Sequence, residues 1–194
     1  SFPAVRPRPY QKPHPPLARA CVSDETISAM AKIGRPILFR KRSIEALGQA
    51  VQLYRETMLS AEFDERTVEQ ALDQSWVWYE AHLAETNDQA WDEFLPAFEA
   101  ASKHVAGMRE RWNPKDQAMP QYPSALPSSA YGPTPDGTAN EALVGSPRRV
   151  AEQVALLRDV GVRNLMLTNR GVMSPDQTAS SLRMLSEKVM PEFR

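Results

Sequence analysis

Apolar and polar positions along this chain follow two rhythms in turn. Short apolar runs of strand type recur, and each is followed by a segment with helical spacing. Leu17 to Val22 is the first such run and suits a buried strand. Ser23 then offers an N-cap, with Asp24 and Glu25 in the first turn, where carboxylates complement the positive helix end. That helix is expected to reach Ile33 and to stop with Gly34 at C′. Pro36 to Phe39 is a second apolar run, and Ser43 caps a helix with Leu47, Val51 and Tyr54 on one stripe. Gln74 to Ala84, containing Trp76, Val77, Trp78 and Tyr79, has the aromatic content of a strand.

Thr86 and Gln89 form a capping-box pattern that opens a helix reaching towards Arg111, with a kink or break expected near Pro96. Ser146-Pro147 places an N-cap before a proline at the first helical position. Val150, Val154 and Leu157 line one face of that helix, and Gly161 ends it. Val162 to Thr168 reads as a buried strand. Ser174-Pro175 repeats the start signal, with Gln177 completing a capping box. The last helix carries Ala179, Leu182, Leu185 and Val189 until Pro191 stops it. Strands alternating with helices call for an α/β fold with a parallel sheet. A doubly wound sheet and a (β/α)8 TIM-barrel type both fit the order. Four strands cannot close a barrel, which takes roughly 250 residues. An intact small α/β domain therefore competes with part of a barrel.

Composition narrows the classes. The 194 residues are 42% hydrophobic and 24% charged, as in globular chains rather than disordered ones. A net charge of −1 argues against a dedicated nucleic-acid binder. No apolar run approaches the roughly 18 residues of a membrane helix, and the first residues carry no signal-peptide pattern. Cys21 is the single cysteine, which excludes an internal disulfide framework and a multi-cysteine metal site, so a reducing, cytoplasmic location is expected. Proline is abundant, at 17 residues, and clustered. The stretch 1–16 reads as an extended lead-in, a tail or a PxxP ligand for a partner domain. The stretch 113–140 reads as a long irregular loop.

The usual dinucleotide, P-loop and zinc-protease fingerprints are missing. His14, His82 and His104 are scattered and read as structural or exposed rather than catalytic. Cys21 lies inside a strand with no adjacent base, which favours a small core residue over a nucleophile. Ser23 and Thr26 sit where a parallel strand hands over to a helix, a place that suits either a phosphate or plain capping. Arg40-Lys41-Arg42 follows the second strand, also at a carboxyl end; it can face an anion, although a solvated charge run is the simpler account. Trp76 and Trp78 share one face of a strand, which favours core packing over stacking on a flat cofactor.

The stretch RPRPYQKPHPPLARACVSDETISAMAKIGRP resembles the middle of the bacterial luciferase-like flavin monooxygenases. There a proline-rich loop leads into the fifth barrel strand, followed by a serine-containing turn, a short helix ending in A-x-x-G-x-P and the sixth strand. HLAETNDQAW is similar to the family's seventh strand with its T-x-x-x-A. LVGSPRRVAEQVALLRDVGVRNLMLTNRG and SLRMLSEKVMPEFR are similar to its closing segments.

The resemblance implies a (β/α)8 barrel of which 1–194 supplies strands five to eight, the C-terminal half. It implies flavin at the carboxyl ends of the strands, with Val22, Ser23 and Thr26 at cofactor-binding positions and no metal. The family's usual active-site histidine belongs to the first four strands, so the resemblance assigns no catalytic residue here. The implied function is a flavin-dependent monooxygenase in which reduced FMN and oxygen oxidise a small organic substrate. A deazaflavin-dependent hydride transfer is an open alternative. So is a non-catalytic half-barrel acting through association, as a homo-oligomer or with a missing N-terminal half.

Overall fold

The computed structural model describes residues 8–12, 14–40, 43–112, 142–168 and 173–193. Within these, the elements run β1 (Arg19–Cys21), α1 (Asp24–Ala31), β2 (Ile37–Phe39), α2 (Ile44–Ser60), α3 (Glu65–Asp73) and β3 (Trp76–Leu83). They continue as α4 (Asn87–Trp112), β4 (Ala142–Gly145), α5 (Pro147–Asp159), β5 (Leu165–Thr168) and α6 (Pro175–Met184). A π-type turn over Leu185–Val189 and a 3-10 turn over Met190–Phe193 follow α6. The expected proline-rich segment at 113–140 and three of the six lead-in prolines, Pro3, Pro7 and Pro13, lie outside the described residues.

Local chemistry sets the helix starts. Ser23, Ser43, Asp64, Ser146 and Ser174 each accept the amide three residues on, satisfying a first-turn donor that no earlier turn can reach. Pro147 and Pro175 occupy first-turn positions where a missing amide costs nothing. The end of α1 is a Schellman closure. Gly34 N–H donates to the Ala31 carbonyl and Arg35 N–H to the Met30 carbonyl, each at 3.0 Å. Gly34 takes φ +62°, as a C′ residue must, so the expected stop is where the chain makes it.

All strand pairs are parallel, and β3 is the hub. Val77 pairs with Phe39 of β2 and with Leu165 of β5, so those two strands flank opposite edges of β3. Glu80 pairs with Ala142 of β4 and with Thr168 of β5. β2 and β4 therefore share one edge of β3 in tandem. β1 pairs with β2 on its far side.

The two faces of this sheet differ. Cys21, Ile37, Phe39, Val77, Tyr79, Leu83 and Leu143 are buried against Ile27, Leu47, Tyr54, Met58 and Leu157 of the helices, forming the main core. By strand alternation Trp76, Trp78, Glu80 and His82 point the other way. Near the carboxyl end of β3 this second face is covered by α4, whose Ala90, Phe94 and Phe98 pack on Ala84, Ala142 and Val144. Further down it is open: Trp76 is 44% exposed and Met166 is 42% exposed.

Several expectations need correction here. The Trp76 and Trp78 face is not the packed one; Val77 and Tyr79 supply the core. β5 is half-buried rather than buried, because it pairs along one edge only among the described residues. In α6 the buried residue is Ser181, while Ala179 and Leu182 are exposed. Pro191 lies within the 3-10 turn rather than after the helix. α3 and β4 were not expected; Asp64 before Val68, Ala71 and Leu72 is the signal for the first, and Ala142-Leu143-Val144 for the second.

Candidate active site

With every strand parallel, the carboxyl ends of β1 to β5 lie on one rim of the sheet, the place where parallel α/β folds bind ligands. Val22, Ser23 and Thr26 follow β1 there, Arg40 follows β2, and His82 sits one residue before the end of β3. Thus the structure brings the predicted cofactor residues to the rim beside the start of α1.

Ser23 and Thr26 form a reciprocal capping box. Thr26 N–H donates to Ser23 Oγ at 3.4 Å, and Ser23 N–H donates to Thr26 Oγ1 at 3.2 Å. Thr26 Oγ1–H donates to the Ser23 carbonyl at 2.8 Å. Ser23 is half-buried and Val22 exposed. The capping account of these hydroxyls is therefore realised. The long 3.4 Å contact leaves the Ser23 hydroxyl loosely committed.

The rim above β3 is built from α4 and β4. Thr86 Oγ1 accepts the Gln89 amide at 3.2 Å. Only half of the expected capping box forms, because the Gln89 side chain turns to Glu93 instead, at 2.8 Å. Asn87 Oδ1 accepts the Ser146 amide at 2.9 Å, tying the start of α4 to the start of α5. Gly145 at φ +151° makes this possible, since a Cβ there would lie 2.9 Å from Asn87 Oδ1. His82 Nε2 lies 2.7 Å from Glu93 Oε2, with the imidazole 1% exposed.

The remaining candidates separate. Cys21 is buried, its thiol reaching the Thr26 carbonyl at 3.5 Å, and burial raises its pKa. That is the environment of a core residue. His14 and His104 are exposed. Arg40 is exposed, while Lys41 and Arg42 lie outside the described residues. Among the described residues, no cluster of three or more His, Cys, Asp or Glu is arranged to hold a metal ion, and no helix is long and apolar enough to cross a membrane.

The sequence profile of the luciferase-like monooxygenases matches residues 2–164. The chain belongs to that family. Three solved structures share its fold. One is the monooxygenase RslO1 from Streptomyces bottropensis, at TM-score 0.67 and 21% identity, over 97% of this chain and 51% of that one. A second is the oxygenating constituent of 3,6-diketocamphane monooxygenase from the CAM plasmid of Pseudomonas putida, solved with FMN, at TM-score 0.60 and 18% identity, over 92% and 49%. A third is the coenzyme F420 dependent tetrahydromethanopterin reductase from Methanopyrus kandleri, at TM-score 0.59 and 15% identity, over 92% and 51%. No curated protein sequence matches the chain. This luciferase-like chain thus spans about half the length of the structures it matches, as a partial (β/α)8 barrel does. The α/β class, the parallel sheet and the family resemblance hold.

His82, read from the sequence as structural or exposed, is buried and paired with Glu93. Its signal was positional: an ionisable side chain two residues after Glu80, on the strand face opposite Tyr79 and Leu83, before a helix carrying Glu93.

Proposed function

We propose that this chain is the cofactor-phosphate half of a flavin- or deazaflavin-dependent oxidoreductase acting on a small organic substrate. The observation that carries the reading is the start of α1. Ser23 and Thr26 follow β1 directly, on the rim of strand ends, at the positions the family resemblance assigns to cofactor contact. The residues present fit a phosphate-bearing group through the Ser23 hydroxyl, whose capping contact is long, and the positive end of a helix dipole. Val22, exposed beside them, offers an apolar contact. Asp24 and Glu25 in the same turn temper the attraction for an anion.

A bound flavin would supply electron transfer to oxygen, and a bound deazaflavin would supply hydride transfer. The protein's contribution is to bind, orient and exclude water. One of the similar structures holds FMN and another is F420 dependent, so both cofactors belong in the test. The single free cysteine, Cys21, supports a cytoplasmic setting. Oxygen and the substrate would meet the cofactor at the carboxyl-end rim, which the first four strands of the barrel would complete.

Titration of the full chain with FMN and with F420, followed by fluorescence, tests this. Saturable binding of either cofactor that weakens in Ser23→Ala is the expected result; binding of neither overturns it. A second reading, association without catalysis, draws on exposed Trp76 and Met166. Stable oligomers that bind neither cofactor would favour it.

A further inference from the structure

The run β1-β2-β3-β5 has two free edges and one uncovered face among the described residues. At one end, Arg19 N–H donates to the Pro36 carbonyl and the Cys21 carbonyl accepts Arg40 N–H, both towards β2. By the alternation of a parallel ladder, the backbone groups of Ala20 turn outward. At the other end, the Asn164 carbonyl accepts Val77 N–H, so the backbone groups of Leu165 and Leu167 turn outward. The face between the edges is apolar below Glu80. Ala20, Leu38 and Trp76 stand at one level by register, and Trp78 and Met166 at another. Small and large apolar side chains in levels are what the inside of an eight-stranded parallel barrel holds. Beside the amino half of β5 lies an apolar groove of about 750 Å³, lined by Val162, Leu165, Leu167 and Val189 among others.

We propose that a second copy of this chain covers this face and closes an eight-stranded barrel. β5 of each copy pairs in parallel with β1 of the other, about a two-fold axis that runs along the strands. Three features favour this occupant. The edges are complementary: a parallel strand added beside β1 must offer the kind of edge that β5 leaves free, and a second copy offers it. The count fits, because β4 lies in tandem with β2 and adds no strand to the run, so two copies bring eight strands, the number at which side chains alone fill the interior. The symmetry closes, because both free edges of each copy are used and none is left to recruit a third. α4 covers the face only near the carboxyl end of β3 and leaves the lower part free for the partner. Leu17, 48% exposed just ahead of β1, is thereby brought to the amino end of the partner's β5, where the groove opens. This assembly needs no cofactor.

Sedimentation equilibrium of the full chain, without flavin, tests the stoichiometry, and the mass of two chains is expected. Cysteine pairing tests the geometry. Ala20→Cys and Met166→Cys are placed in separate chains, each also carrying Cys21→Ala, and mixed with a short bis-maleimide. Neighbouring strands lie about 4.8 Å apart, so unlike chains are expected to cross-link and like chains are not. Cross-linking between like chains, or none, overturns the arrangement. A series of masses beyond two chains overturns it as well. So does a monomer, which would leave the face to strands of another polypeptide. Should a cysteine variant fail to fold, amide hydrogen exchange of the wild-type dimer decides: Ala20, Leu165 and Leu167 amides are expected to be protected, and rapid exchange at all three overturns the proposal.

Discussion

The backbone amide of Leu83, in β3, donates to the Ser181 hydroxyl of α6 at 2.8 Å, and both groups are buried. Among the described residues β5 pairs with β3 as far as Glu80, and a side chain from the last helix meets the strand beyond that point. Ser181→Ala leaves the amide unmet in the core. The expected loss is about 1–3 kcal/mol of stability by denaturant unfolding. A loss within about 0.5 kcal/mol would mean that water or a shifted carbonyl replaces the hydroxyl.

Ser23 and Ser146 cap α1 and α5 in the same way, yet only Ser23 sits at a proposed cofactor position. Both alanine variants are expected to cost about 0.5–2 kcal/mol of stability. Ser23→Ala alone is expected to weaken FMN or F420 binding roughly 10- to 150-fold, the worth of one hydrogen bond to a charged group. Equal affinities in the two variants would reduce Ser23 to a cap.

Glu69 lies between Arg163, which bridges back from the segment before β5, and Arg55 of α2. Arg163 also reaches Asp73 at 2.6 Å. Hydrogen bonds from Arg163, then from Arg55, hold the Glu69 carboxyl below its usual range. A carboxyl lowered on folding adds stability above its unfolded pKa of about 4.3 and loses it as pH falls through the folded value. The groups are partly exposed, so the contribution is about 1 kcal/mol or less and shrinks with salt. Unfolding measured from about pH 6 down to 3 should therefore fall more steeply in wild type than in Glu69→Gln. Parallel curves would show that the network contributes nothing measurable.

The open part of the second sheet face carries Trp76, Trp78, Leu38 and Met166, all at least partly exposed. β1 and β5 pair along one edge only among the described residues. Apolar faces and free edges of this kind drive association. The 194-residue chain is expected to scatter light as species larger than a monomer. Trp76→Gln combined with Met166→Gln should shift it towards monomer. A monodisperse wild-type monomer would contradict the expectation.

Much of this fold was legible because its signals are local. Ser23, Ser43, Ser146 and Ser174 announce their helices by residue type and position, and Gly34 ends α1 through a backbone angle that few other residues adopt. The faces were harder. Trp76 and Val77 both suit a strand, and which one is buried depends on strands and helices far along the chain. β4 is four residues long and has meaning only against β3 and α4. The proposal that Ser23 and Thr26 contact a cofactor rests on the resemblance. The pairing of His82 with Glu93 was not legible, because α4 rather than a motif brings the two together.

The hub position of β3 has a consequence for how the chain assembles. Its pairing with β2 joins segments separated by two helices, whereas its pairing with β5 must bring in a segment beyond α4, β4 and α5. Longer loops close at a greater entropic cost, so the β2–β3 edge has the shorter path to a nucleus and the β5 edge docks afterwards. Substitutions in the two flanking strands then leave different kinetic traces. Those in β2 are expected to slow folding, and those in β5 to speed unfolding.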